Sequence, residues 1–178
     1  MNDVDILKKI EKKVLWLACW VIHNANHIRE NQDGLKVGGH QASSASIVSI
    51  MTALYFNILR PEDRVAVKPH ASPVFHAIQY LSGLQTKEKI ENFRGFGGAQ
   101  SYPSRTKDID DVDISTGSVG LGVAMTSFIS LIQDYIARKK FYNNRQLGRM
   151  IALVGDAELD EGNVYECLQE GWKHDLRN

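Results

Sequence analysis

From Asp5 to Ile28 apolar residues recur at Leu7, Ile10, Val14, Leu17, Val21, Ala25 and Ile28. This three-and-four spacing lays one stripe along a long amphipathic helix. Gln32-Asp33-Gly34 and Gly38-Gly39 break the pattern, and a second helical pattern runs from Ala42 to Leu59. It opens on small side chains, Ala42, Ser43, Ser44, Ala45 and Ser46, which leave room for close approach to the backbone. Arg60-Pro61-Glu62-Asp63 reads as a turn and Val65-Ala66-Val67 as a short strand. Ser72 before Pro73 reads as an N-cap with proline at the first helical position, for a helix that runs to Leu81 and stops at Gly83.

A short helix from Thr86 to Phe93 leads into Arg94-Gly95-Phe96-Gly97-Gly98-Ala99-Gln100-Ser101-Tyr102-Pro103, which has too few apolar anchors for a regular element. Long loops of this kind in compact domains are commonly functional. Thr116 to Gly122 opens an apolar helix reaching Arg138. Met150-Ile151-Ala152-Leu153-Val154 is a continuous apolar run ending at Gly155-Asp156, the pattern of a buried parallel strand, and a last helix spans Asn163 to Trp172. Helices alternating with sparse strands predict an α/β fold with a parallel sheet flanked by helices.

At 178 residues and 43% hydrophobic content the chain is one domain or a large piece of one. Lys plus Arg equals Asp plus Glu at 21 each, and no basic cluster is interleaved with aromatics, which excludes nucleic acid as the expected partner. The start lacks a signal-peptide core, and no apolar stretch approaches the roughly 20 residues a bilayer requires. A cytoplasmic chain without a membrane partner is expected. Cys19 and Cys167 lie in separate helical patterns with no CxxC or Cys/His spacing, so both read as buried thiols.

In open parallel sheets ligands bind beyond the carboxyl ends of the strands, where Asp156 falls. Magnesium takes oxygen ligands, one or two carboxylates plus phosphate oxygens, so Asp156 is a candidate anchor for a metal-diphosphate. A Gly-Asp pair also caps turns, and the spacing alone leaves both readings open. Thr116 to Gly122 is not GxGxxG and fails as a dinucleotide fingerprint.

Four stretches taken together change the picture: Gly38-Gly39-His40-Gln41-Ala42-Ser43, Lys68-Pro69-His70-Ala71-Ser72-Pro73, Thr116 to Gly122, and Gly155-Asp156-Ala157-Glu158-Leu159-Asp160-Glu161-Gly162. In this order and spacing the chain resembles the transketolase superfamily. The likeness is strongest to the homodimeric pyruvate dehydrogenase branch, around Gly39-His40, His70 to Pro73, Asn92-Phe93-Arg94 and Ser101-Tyr102-Pro103, and next to transketolase at Thr116-Gly117 and Glu161-Gly162.

The resemblance implies the amino-terminal part of a thiamine-diphosphate-binding domain, residues 1–178. It makes Asp156 the ligand of magnesium bound to the diphosphate, with Gly155, Ala157 and Glu158 helping to hold that group. His40 and Ser43 become cofactor or substrate contacts, and His70 faces the reaction centre. Gly117 and Val119 lie against the cofactor's pyrimidine side, and Glu161 belongs to a subunit interface. Histidine suits such roles because it donates or shuttles a proton near neutral pH.

The chain departs from the family pattern at Gly-Asp-Ala, where Gly-Asp-Gly is usual; if the third position needs a left-handed backbone, Ala157 costs about 1–2 kcal/mol. Ser104 stands where the resembled branch has His. The second metal ligand, an Asn, and the glutamate that activates the cofactor belong to later parts of the family's chains. The expected function is therefore part of an enzyme for oxidative decarboxylation of a 2-oxo acid, inactive alone. It would work as a homo-oligomer or with a complementary polypeptide. Transketolase chemistry on ketose phosphates and a non-catalytic assembly module are the alternatives.

Overall fold

The expected opening stripe forms helix α1, Asp3–His23, continued by a π-helical turn over Asn24–Ile28. Val14, Val21 and Ala25 of the stripe are buried, together with Ala18 and Ile22. A computed structural model describes residues 3–31, 34–141 and 146–178; Gln32 and Asp33 of the expected break lie outside them. The chain divides into two compact units, Met1–Leu59 with His70–Val112, and Arg60–Pro69 with Asp113–Asn178.

In the first unit α1 packs against α2 (Gln41–Ala45), α3 (Val48–Ala53) and α4 (Ser72–Leu81). The single helix expected from Ala42 to Leu59 is interrupted at Ser46-Ile47 and ends in a π-helical turn, Leu54–Ile58. The Ser46 hydroxyl donates to the Ser43 carbonyl at 2.9 Å, the local competition that serine offers to a helix ladder. Helix α4 ends at Leu81 as its pattern predicts, but its N-cap is Ala71 rather than Ser72. The Ser72 hydroxyl instead donates to the Ser101 carbonyl at 2.5 Å and ties the glycine-rich loop to the helix. Helix α5 (Lys87–Glu91) is capped by Thr86, and Val21, Ala25, Ile90, Phe93 and Ala99 form an apolar cluster.

In the second unit β1 (Arg64–Ala66) pairs in parallel with β2 (Met150–Ala152), Val65 opposite Ile151 and Ala66 opposite Ala152. Asp63 fixes this register. Its buried carboxylate accepts from the Arg149 backbone N–H at 2.7 Å, from Arg149 Nη2 at 2.5 Å, and from the Arg60 backbone N–H at 3.0 Å. These hydrogen bonds, the Arg149 side chain first, hold its pKa well below the usual carboxylate range. Gly148 lets the chain pass, since a Cβ there would lie 1.8 Å from the Glu62 carbonyl oxygen.

Helix α6 (Leu121–Arg138) packs on both strands and on α7 (Gly162–Lys173). The apolar run at Met150 predicts a strand covered on both faces, yet β2 is half-buried. Beside it opens an apolar cavity of about 570 Å³ lined by Met150, Ala152, Val154, Leu168 and Trp172. Cys167 is buried, its thiol pushed up by burial and by Glu166 and Glu170; Cys19, expected to be buried, is half-buried. Among the described residues no helix is long and apolar enough to cross a membrane.

Candidate functional site

The chain leaves β2 through Leu153, whose N–H donates to the Ala66 carbonyl at 2.9 Å, and reaches Gly155-Asp156 at the carboxyl end of the parallel pair. Asp156 has φ −57° and ψ −49° and is exposed. Ala157 begins a 3-10 turn, Ala157–Asp160, and is not among the residues with positive φ. The third position therefore adopts a backbone open to any residue, and alanine in place of the family's glycine carries no left-handed strain.

Glu158 is 6% exposed and its carboxylate turns into the protein. Oε2 accepts the Gly155 N–H at 2.6 Å and Oε1 accepts the Gly120 N–H at 3.4 Å. The side chain thus clamps the Asp156 loop to the start of α6 while the Asp156 carboxylate stays at the surface. A Cβ built on Gly155 would lie 3.4 Å from Glu158 Oε2 and 3.7 Å from both Cδ and Nζ of Lys68.

Gly117 and Val119 are half-buried in the segment that leads into α6. Gly120 caps that helix in the left-handed region, φ 81°, and a Cβ there would meet Asn163 Oδ1 at 2.5 Å and Glu161 Cβ at 3.0 Å. Glycine at this position lets the first turns of α6 and α7 meet. Thr116 Oγ1 and Asn163 Oδ1, both in this unit, are buried without a hydrogen-bond partner among the described residues. An exposed carboxylate at the strand ends, tightly approaching helix starts and two unsatisfied oxygens in the same unit suit a polar ligand rather than an apolar one.

In the first unit Gly38 and Gly39 take positive φ, 76° and 130°, and a Cβ on Gly39 would lie 2.9 Å from the Ile22 side chain. They deliver His40 to the start of α2, its ring centroid 4.4 Å from that of His70. Partial desolvation of the His40 ring, then the neighbouring His70 and Arg94, push its pKa below the ordinary histidine value. A neutral imidazole beside a second one can pass or accept a proton near neutral pH. Ser43 is half-buried, and the serine that touches the pair is Ser44, whose hydroxyl lies 3.4 Å from the His70 carbonyl oxygen.

Residues 37–176 match the family described as "Transketolase, thiamine diphosphate binding domain". The chain belongs to this family. Among its relatives is a "Pyruvate dehydrogenase E1 component" of Mycolicibacterium smegmatis, 26% identical over 188 aligned positions, covering 99% of this chain and 20% of the relative. "Transketolase-like protein 2" of Mus musculus is 29% identical, covering 79% of this chain and 23% of the relative. A "Transketolase" of Pongo abelii is 26% identical, covering 73% and 21%. The chain thus spans about a fifth of the length of the curated relatives it matches.

In this transketolase-family domain the motif residues divide between the units: His40, Ser43 and His70 in the first, Gly117, Val119 and Gly155 to Glu158 in the second. Sequence reading did not find the inward turn of Glu158 or the approach of Lys68 to Gly155. It also missed the cluster of buried His76 and Asp110 with half-buried Asp108, whose ligand atoms lie within 4.8 Å of one another. His76 Nδ1 is 2.6 Å from Asp110 Oδ2 and its Nε2 is 3.0 Å from the Gln100 carbonyl oxygen, while Gln85 donates to the other Asp110 oxygen. Asp108 accepts the Gln100 and Ser104 N–H groups, each at 2.9 Å. These contacts give each His76 nitrogen a polar neighbour and anchor the glycine-rich loop, so the cluster reads as structural.

Proposed function

We propose that the chain is the diphosphate-binding part of a thiamine-diphosphate- and magnesium-dependent enzyme of pyruvate dehydrogenase type, acting in the oxidative decarboxylation of a 2-oxo acid. The observation that carries this reading is the Asp156 loop. Its backbone is unstrained with alanine at the third position, and its geometry is fixed from within by Glu158. The Asp156 residue itself is exposed at the strand ends, where its carboxylate is free to take a metal. Support for the 2-oxo acid comes from the pyruvate dehydrogenase relatives, which align with 90–99% of the chain.

In this reading Asp156 ligates magnesium, and the backbone of Gly155 and Ala157 lies along the diphosphate. Gly117 and Val119 flank the pyrimidine side. His40 and His70 hydrogen-bond the substrate or move its proton, and Ser43 contributes a further polar contact. The chemistry the cofactor supplies is a carbon nucleophile and electron sink for cleavage beside a carbonyl. The working assembly is a homo-oligomer or a pair with a complementary polypeptide. Transketolase chemistry on ketose phosphates is the second reading, supported by the transketolase relatives.

Calorimetric titration of thiamine diphosphate with magnesium into the purified chain, beside Asp156→Ala, tests the proposal. Binding that requires magnesium and is lost in the variant is the expected result. Binding of equal strength in Asp156→Ala, or none in the wild type, overturns it.

A further inference from the structure

The loop that would receive the diphosphate is itself acidic. From Gly155 to Gly162 it carries Asp156, Glu158, Asp160 and Glu161 and no lysine or arginine. A multiply charged anion entering such a loop meets like charge, and one divalent cation offsets part of it. A further positive group must come from another segment. One lies just past the paired strands: Ala66 pairs with Ala152 where both strands end, and Lys68 follows β1 by two residues as Gly155 follows β2 by three.

The Lys68 ammonium approaches the point where the loop begins, 3.7 Å from the position a Gly155 Cβ would take. The side chain is half-buried and enters no ion pair among the described residues. Pro69 follows it, which confines the Lys68 backbone to extended conformations. Gly155, having no side chain, leaves the space between the ammonium and the loop open.

We propose that Lys68 is a binding residue of the same site, an ammonium contact that neutralises the diphosphate end of the cofactor beside the Asp156-bound metal. This rests on the reading that the Asp156 loop holds the diphosphate. Lysine suits the task as a compact point charge on a flexible stem, able to follow the anion as it enters.

The test uses the 178-residue chain with two probes, inorganic pyrophosphate and thiamine diphosphate, each titrated with magnesium at low and high salt. Lys68→Met is expected to weaken both by about tenfold and to flatten the salt dependence. Lys68→Arg, which keeps the charge, should stay within about threefold of the wild type. Lys68→Gln is measured beside Lys68→Met, so that a packing defect in one neutral variant does not decide the result, and unchanged melting temperatures separate a charge effect from a folding effect. Wild-type binding with Lys68→Met and Lys68→Gln within twofold overturns the role of Lys68 and leaves the Asp156 reading standing. Failure of the wild type to bind either probe overturns both.

Discussion

Removing the Glu158 carboxylate should loosen the Asp156 loop at its root. The magnitude follows from its two bonds. The 2.6 Å bond to Gly155 is charge-assisted, but Gly155 is half-exposed, so water recovers part of the loss when the acceptor goes. The 3.4 Å bond to Gly120 is weaker, but Gly120 is buried and its N–H is left without an acceptor. Together these give about 2–3 kcal/mol for Glu158→Ala, or roughly 5–10 °C in melting temperature for a chain of this size.

Glu158→Gln separates the two bonds. Its single carbonyl oxygen can keep the short bond to Gly155 while its amide faces the Gly120 N–H, donor against donor, for a loss of about 1 kcal/mol. Urea unfolding followed by circular dichroism measures the stabilities, and amide exchange by NMR reads the two glycines directly. Exchange at Gly155 should accelerate in Glu158→Ala and stay near the wild-type rate in Glu158→Gln. A Glu158→Ala variant within about 0.5 kcal/mol of the wild type, with both amides equally protected, would refute the clamp.

Two further outcomes follow from the packing. Asp63→Asn should cost about 2–3 kcal/mol at neutral pH, the lower end for a paired buried carboxylate because Arg149 remains 41% exposed. The folded pKa of Asp63 is depressed, so its contribution is fully present above the unfolded value near 4 and is lost as pH falls through the folded one. Denaturation measured from pH 7 downward should therefore show the gap between wild type and Asp63→Asn closing below about pH 4. Gly120→Ala should destabilise by about 2–4 kcal/mol, from the left-handed backbone and the close approach of Asn163. Gly162→Ala, where nothing lies within 4 Å of the new methyl, is the contrasting melt and should move little.

The local signals were legible in the sequence because they repeat within a few residues. Apolar spacing located α1, the end of α4 at Leu81, and α7, and the apolar run ending in Gly155-Asp156 located the carboxylate at a strand end. The motif stretches, read by resemblance, pointed to the transketolase family. What the tertiary structure decided has no period. Asp63 and Arg149 are 86 residues apart, Gly120 and Glu158 are 38 apart, and His76 and Asp110 are 34 apart. Whether Glu158 faces a ligand or the protein depends on where the start of α6 lies, and whether Ala157 is strained depends on the turn that follows Asp156. Neither is encoded in the spacing of neighbours, because a buried carboxylate is directed by whichever distant N–H groups must be satisfied once the chain has closed around them.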